Sequence, residues 1–285
     1  MVKDYRVFLF VTVLSTVQRA SKSPFFAIIG ILFTHLASTI VKYHGELKQK
    51  SFTESHYKIT IFNNDLITLV YHICVNITLV RLTLLEQLNH NVFTFINATP
   101  DSSPAMILLA IFVAKYLVFI FPITLAVCWL WGEEKAISHQ RIVVSKSCIA
   151  FAFAIACSDI IGTFVPHARP FVEGFGYNFL YHAPTASFPS NHGTAVFTFA
   201  LAFTFWHRIR SGLCLMIIAC VIVWARVYVG VHWPIDMIGA FLVSLMGCAF
   251  SQIFWRLYGE YWHSKLIRLY QFCCAFFIRK GWIKN

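Results

Sequence analysis

Long apolar runs, separated by short polar and basic connections, dominate the chain from residue 104 onward. An α-helix needs about 20 residues to cross ~30 Å of hydrocarbon, and the runs lack the period-2 alternation of barrel strands. We therefore predict five membrane-spanning helices, over about 104–131, 147–165, 194–206, 212–229 and 236–255. The first run is too long for one upright helix, so its start lies in the interface or the helix tilts.

Composition places the chain among integral membrane proteins. Hydrophobic residues make up 58% of the 285 residues and charged residues 12%, with a mean hydropathy of +0.68, whereas soluble domains carry about 45–50% and 25%. The predicted fold class is an all-α, polytopic membrane helix bundle. Most of the nine cysteines lie within apolar runs, so we interpret them as small lipid-buried side chains and not as a disulfide framework or metal cluster.

The positions of the basic residues predict an orientation. Lys135, Arg141 and Lys146 separate the first two runs; His207, Arg208 and Arg210 separate the third from the fourth; further Lys and Arg residues follow the fifth. Clusters of this kind face the cytoplasm in membrane proteins, and their places beside apolar runs argue against nucleic acid as the partner of a chain with net charge +11. The remaining connections, 166–193 and 230–235, then share the opposite face.

The N-terminal part of the chain has a weaker pattern. It contains two apolar runs, 24–41 and 66–80, each with a His residue. No small-residue cleavage site follows a clean apolar core, so a signal peptide is a poor description. We predict that residues 1–83 are an extension that the domain does not need, the alternative being one or two extra membrane helices. Residues 84–257 form the predicted transmembrane domain and 258–285 a basic cytoplasmic tail.

Three short motifs fall on the outer face: HARPF at 167–171, PSNHGT at 189–194 and ARVYVGVHWPID at 225–236. Each pairs a cation or an imidazole with a helix boundary. Taken singly, such residues are usually helix caps or side chains that reach toward headgroups. Charges near hydrocarbon cost about 2.5–3.5 kcal/mol each, so their occurrence together on one face predicts a bound anion. Asp159, inside the second run, is a further functional candidate without a visible partner.

The residue types in these motifs suit a phosphate group. Arg169 and Arg226 offer planar forks for bidentate contact with phosphate oxygens. Ser190, Asn191 and Gly193 stand at the start of a helix, where backbone N–H groups and the helix dipole favour an anion. Gly193 also allows the backbone to approach a ligand closely.

Two imidazoles and a carboxylate complete a set for phosphoryl transfer. His232 is the candidate nucleophile, and His192 is the candidate acid that protonates the leaving oxygen. Asp236 follows His232 by four residues and is placed to orient its ring, with Pro234 in the first helical turn between them. The outer connections have few carboxylates and no metal-ligand spacing, so we expect neither a metal nor another cofactor.

These motifs resemble those of a known family. RP at 169–170, PSNH at 189–192 and R-x5-H-x3-D at 226–236 are similar to the three signatures of the type-2 phosphatidic acid phosphatase superfamily, lipid phosphatases related to vanadium haloperoxidases. The longer stretches INATPDSSP, FVPHARPFVEGFGYNFL, SFPSNHGTAVFTFALAF and RVYVGVHWPIDMIGA resemble bacterial undecaprenyl-diphosphate phosphatases. The resemblance covers residues 84 to 255 and implies that superfamily's helical fold.

The resemblance also implies roles for residues. His232 would be the nucleophile, and Asp236 would orient its ring. His192 would be the acid, and Arg169, Arg226 and Ser190 would be phosphate ligands. The usual Lys of the first motif is replaced by Gly162, so phosphate contact by His167 is a hypothesis. Asn191 and Ala225 replace the usual Gly and Ser of the other motifs.

The function implied is hydrolysis of undecaprenyl diphosphate to the monophosphate carrier and phosphate, through a phosphohistidine. The partner is then a polyprenyl diphosphate lipid, and the place is the bacterial inner membrane, with the active site facing the periplasm. Such recycling of the cell-wall lipid carrier belongs to peptidoglycan biosynthesis and bacitracin resistance. Two alternatives stay open: a phosphotransferase that uses lipid A as acceptor, and an anionic lipid transporter. Sequence leaves open the acceptor, the chain-length preference, the oligomeric state and whether residues 1–83 are translated.

Overall fold

The computed structural model describes residues 84–132 and 136–284. The predicted extension 1–83, with its two apolar runs, lies outside the described residues. The chain divides into two compact units, Met1–Asn91 and Val92–Asn285. In the first unit the described residues, 84–91, are helical. The three motifs belong to the second unit. The predicted domain boundaries at residues 83 and 257 stay predictions.

The described part of the second unit consists of helices and loops, which confirms the all-α prediction. A helical stretch ends at residue 96. The helices that follow are α1 (Pro104–Tyr116), α2 (Ile120–Leu130), α3 (Ile137–Phe164), α4 (Asn191–Trp206), α5 (Ile209–Tyr228), α6 (Pro234–Cys273) and α7 (Ala275–Arg279), with a 3-10 turn at Leu117–Phe119 between α1 and α2. Helix α6 continues through residue 257 without a break.

Among the described residues, four segments are long and apolar enough to cross a membrane. They are Pro104–Leu130, which joins α1 to α2 through the 3-10 turn, and the helices α3, α5 and α6. The joined segment corresponds to the first apolar run of the sequence. Side chains such as Leu108, Ile217 and Ile238 point out of the bundle and are more than half exposed. This outer surface fits contact with lipid tails.

Helix α4, which the sequence predicted as one of five membrane spans, is a central helix. Its 16 residues reach about 24 Å, less than the ~30 Å of the hydrocarbon core. It packs against α3, α5 and α6, and residues 196–203 are all buried. The helix therefore forms where the sequence predicted it, and neighbouring helices bury its central residues.

Small residues let the helices approach closely. A Cβ atom added at Gly247 of α6 would lie 2.6 Å from the Ala150 carbonyl oxygen of α3 and 2.8 Å from the Ala154 Cβ. Packing through glycine and alanine is typical of helix contacts in membranes, where backbone proximity replaces the hydrophobic effect between helices. The α3 and α6 backbones therefore meet with little side chain between them.

One asparagine fixes the loop between α3 and α4 to the end of α5. The Asn97 Nδ2 donates to the carbonyl oxygens of Tyr177 and Tyr228, at 2.9 and 3.1 Å, and its Oδ1 accepts from the Tyr177 N–H at 2.7 Å. Gly230 lies against the same point with φ +82°, and an added Cβ would overlap the Tyr177 carbonyl oxygen. The loop position therefore depends on a residue without a side chain at 230.

We expect Gly230→Ala to destabilise the protein more than Gly174→Ala. Both glycines have a positive φ, but a Cβ at Gly174 meets nothing within 4 Å. The left-handed backbone costs an L-residue about 1–2 kcal/mol in either variant, and overlap at 230 adds about 1–3 kcal/mol. Thermal unfolding of the purified variants in detergent measures the difference. Equal melting temperatures would show that the loop does not need the close approach.

Candidate functional site

The three sequence motifs meet at one end of the helix bundle. The loop after α3 carries 167–171, and α4 begins directly after it; residues 229–233 connect α5 to α6. Ser190 caps α4, because its Oγ accepts from the Gly193 N–H at 3.2 Å. Pro234 is the first residue of α6, as the sequence predicted. Two helix N-termini therefore lie at this end of the bundle, a position that favours anions.

His232 lies at the centre of the cluster and is 2% exposed. Its Nδ1 is 3.2 Å from the Asp236 Oδ2. Its Nε2 is 3.1 Å from the Arg169 Nη1 and 3.2 Å from the Ser190 Oγ. A carboxylate only accepts hydrogen bonds, so Nδ1 carries the proton of the neutral ring. The lone pair of Nε2 then points toward the arginine and the serine.

Asp236 is fully buried and receives donors from several segments. Its Oδ2 accepts from the Trp233 N–H at 2.8 Å and from the Ser187 hydroxyl. Its Oδ1 is 3.6 Å from the Nδ1 of His167, which is 1% exposed. This is a partner for His167 that the sequence did not suggest, and phosphate contact by that ring stays a prediction. Sequence reasoning missed Ser187, although it stands only two residues before PSNH.

Backbone carbonyls hold the Arg169 guanidinium, which is 4% exposed. The Nε donates to Thr185 at 3.1 Å, Nη2 to Ala186 at 3.1 Å and Nη1 to Val231 at 2.9 Å. Burial lowers the pKa of Arg169, and the Asp236 carboxylate opposes that shift. The side chain is therefore a fixed cation beside His232.

Arg226, at the end of α5, is 2% exposed and largely unpartnered. Its Nη1 donates to the Ala114 carbonyl at 3.3 Å, while its Nε and Nη2 have no hydrogen-bond partner within the described chain. In the described part of the chain, no carboxylate lies within ion-pair distance of Arg226 or Arg169. Buried donors and charges are normally satisfied, so an anion is the expected complement.

Two more imidazoles complete the surroundings. His192, on the first turn of α4, is half-buried, and the charges of Arg226, His182 and Arg169 all act on it. The His182 ring centroid is 6.1 Å from that of His232. His182 belongs to none of the three sequence motifs. The structure places it beside the site.

The structure also shows the contacts of Asn191, Gly193 and Gly162, which the sequence motifs singled out. The Asn191 Nδ2 donates to the Asp159 Oδ1 at 2.8 Å and its Oδ1 accepts from the Ser158 hydroxyl at 2.7 Å, so the intramembrane acid has its partner on α4. The Gly193 N–H is used by the Ser190 cap. A Cβ at Gly162 would lie 3.3 Å from the Phe188 carbonyl oxygen, so a side chain there would need that oxygen to move by a few tenths of an ångström.

The chain belongs to the PAP2 superfamily, whose model matches residues 143–262. This confirms the resemblance that the three motifs suggested. Over 202 residues the chain is 51% identical to YbjG of Escherichia coli K12, which is provisionally named an undecaprenyl-diphosphatase; the match covers 71% of this chain and all of that protein.

Two further proteins are similar to this chain. The undecaprenyl-diphosphatase BcrC of Bacillus subtilis 168 is 25% identical over 159 residues, which are 56% of this chain and 80% of that protein. LpxE from Aquifex aeolicus, known from a crystal structure, matches this chain with 23% sequence identity and a TM-score of 0.46. The match covers 58% of this chain and 94% of the LpxE chain.

We expect stability to depend on pH through His232. Burial lowers the pKa of His232 to about 3, the Asp236 hydrogen bond opposes this, and the charges of Arg226 and Arg169 add to it. The unfolded state takes up a proton below about pH 6.5 while the folded state does not. The free energy of unfolding therefore falls as pH decreases from about 6.5, by up to about 1.4 kcal/mol per pH unit.

The variant His232→Gln removes this titration and keeps a polar side chain. Its melting temperature in detergent should fall less between pH 7 and pH 4.5 than that of the wild type. The other imidazoles titrate in both proteins, so they cancel in the difference. Parallel curves would mean that His232 ionises normally in the folded state.

Proposed function

We propose that the protein is an undecaprenyl-diphosphatase, which removes the terminal phosphate of a polyprenyl diphosphate through a phosphohistidine at His232. The observation that carries this proposal is the pair of buried guanidinium groups, Arg169 and Arg226, near an imidazole nitrogen whose lone pair is free of the carboxylate. The relation to YbjG, which extends over the whole of that protein, supports this substrate.

The first step transfers the phosphoryl group to the enzyme. His232 Nε2 attacks the terminal phosphorus, a P–N bond forms and the bridging P–O bond breaks. His192 donates a proton to the bridging oxygen as the lipid monophosphate leaves. Asp236 holds the Nδ1 proton and stabilises the cationic ring that forms. The hydrogen bond from Nδ1 to Asp236 supports Nε2 as the attacking atom.

Charge on the phosphoryl oxygens is balanced by fixed cations. Arg169 is held by carbonyl oxygens on three sides, so it needs little reorganisation when the transition state forms. Arg226 offers its two unpartnered nitrogens, and the Ser190 hydroxyl lies beside His232 Nε2. The two guanidinium groups supply the positive charge that metal ions supply in many phosphoryl transfer enzymes, so we expect activity without metal. Water then attacks phosphorus, the P–N bond breaks, and inorganic phosphate leaves.

We expect His232→Ala to reduce turnover of undecaprenyl diphosphate below about 10⁻³ of wild type, because the covalent route is lost. Asp236→Asn should lose about 10²–10⁴-fold in kcat, because the ring tautomer is no longer fixed. Phosphate release by purified protein in EDTA measures both. Terminally labelled substrate should label wild-type protein and not His232→Ala. Full turnover by His232→Ala would contradict the proposal.

We propose that the site faces the periplasm of a bacterial inner membrane. Arg208 and Arg210 lie at the start of α5, whose other end carries Arg226, and Arg256 lies in the middle of α6, several turns beyond Asp236. Such basic residues favour the cytoplasm. Helix α6 has 40 residues and reaches about 60 Å, so about half of it extends beyond ~30 Å of hydrocarbon. Its basic second half would lie on the cytoplasmic side.

Single cysteines in a background without other cysteines test this orientation. Tyr181, in the loop after α3, is 94% exposed, and Ser264, in the second half of α6, is exposed. In intact spheroplasts we expect a membrane-impermeant maleimide to label Tyr181→Cys. Labelling of Ser264→Cys should need permeabilised membranes. The reverse pattern would place the site on the cytoplasmic side.

Transfer to lipid A, the alternative that the sequence left open, shares the phosphohistidine step and differs in the acceptor. No contact among the described residues favours lipid A over water as the acceptor. Addition of lipid A to the labelled reaction distinguishes the two, because transfer moves the label to lipid while hydrolysis releases it as phosphate. Transport without reaction would leave all label on the diphosphate.

A further inference from the structure

Another imidazole, that of His182, lies beside the proposed nucleophile and has no part in the steps above. His182 is half-buried in the loop between α3 and α4. Its ring centroid is 6.1 Å from that of His232, with the ring planes at 72°. Within the described chain no hydrogen bond joins these two rings. This separation is within the range of edge-to-face contact between two rings, so the two imidazoles are direct neighbours.

The hydrogen bond of His182 fixes its tautomer. Nδ1 is 3.0 Å from the carbonyl oxygen of Ala183. A carbonyl oxygen only accepts, so the proton is on Nδ1. In a neutral ring, Nε2 then has a lone pair and no hydrogen, so it accepts a proton and cannot donate a hydrogen bond to a phosphate oxygen.

The surroundings keep this ring neutral. Burial lowers the pKa of His182, the hydrogen bond to Ala183 opposes this, and the charges of Arg169 and Arg226 add to the shift. Arg169 comes from the same loop, Arg226 from the end of α5 and His192 from the start of α4. The groups around His182 are therefore cationic or imidazole, and they are the groups proposed to surround the phosphate.

Water has access to this position. Tyr181 on one side of His182 and residues 183–186 on the other are exposed. His232, by contrast, is 2% exposed and Asp236 is fully buried. A base that lies between solvent and the phosphorylated ring is suited to activate water, whereas one enclosed with His232 would lack a supply of water.

We propose that His182 is a further catalytic residue, the general base for the water that hydrolyses the phosphohistidine. A new O–P bond forms as water attacks, and the bond from phosphorus to His232 Nε2 breaks with its electron pair returning to that nitrogen. One proton of the water moves to His182 Nε2, and inorganic phosphate leaves. The half-buried His182 then releases its proton to solvent. This inference rests on the proposed phosphohistidine route and adds to it the base for its second half.

The variant His182→Asn separates the two halves of the reaction. Its side-chain amide still donates to the Ala183 carbonyl but has no basic nitrogen in the place of Nε2. Rapid-quench measurements use full-length protein in detergent with terminally labelled undecaprenyl diphosphate. We expect lipid monophosphate to appear in a burst equal to the enzyme concentration, with a first-turnover rate within about threefold of wild type. Phosphate release should slow by about 10²–10³-fold, the scale of general-base catalysis, and labelled protein should accumulate.

Two readouts separate a base from a merely structural role. The wild-type rate of dephosphorylation should fall as pH is lowered, because His182 takes up a proton. The slow rate of His182→Asn should not show this decrease with pH. Added imidazole should partly restore phosphate release by the variant. Tyr181→Phe is the matched loop control and should change neither half-reaction.

The outcomes divide clearly. Equal loss in both half-reactions, a rise in KM with both rates unchanged, or wild-type dephosphorylation in His182→Asn would each overturn the inference. Accumulation of labelled protein in His192→Asn with none in His182→Asn would assign the base to His192 and also overturn it. Failure of the phosphohistidine route would give a different result: wild-type protein would take up no label, and His232→Ala would still hydrolyse the substrate.

Discussion

The site depends on one buried carboxylate. Asp236 has no solvent contact, so donors from the protein must replace the water that it loses. They come from the residue before α6, from the segment before α4 and from the loop after α3, through Trp233, Ser187 and His167, and from His232 itself. Satisfying this one charge therefore brings together segments up to 69 residues apart in the chain and sets the orientation of the central imidazole.

Positive charge without a matching anion is the second feature of the site. Carbonyl oxygens position Arg169, which has no carboxylate in ion-pair distance among the described residues. Arg226 keeps two nitrogens without partners in the described chain. Such an arrangement costs free energy in the empty protein, and a phosphate group would recover it. The start of α4 adds its dipole to the same end of the bundle. Electrostatic preorganisation of these cations suits a reaction in which negative charge accumulates on phosphoryl oxygens.

Much of the fold could be predicted because local sequence decides where membrane helices form. The length of each apolar run predicted a membrane helix, and Pro234 predicted the start of α6. The motif spacing led to the superfamily that the comparisons then confirmed. The surroundings of the site could not be predicted in this way, because the loop between α3 and α4 has no periodicity. Ser187 acts on a carboxylate 49 residues away, and Asn191 acts on Asp159 at a distance of 32 residues.

The sequence by itself determined that the chain forms apolar helices and which residues with phosphate chemistry stand at their ends, since helix formation in a membrane needs only hydrogen bonds within each segment. Only the tertiary structure decided that α4 lies inside the bundle, that His167 and Ser187 hold Asp236, and that His182 lies 6.1 Å from His232. Those contacts depend on how helices pack and where an irregular loop returns. Both are set by long-range fit between side chains that no local pattern encodes.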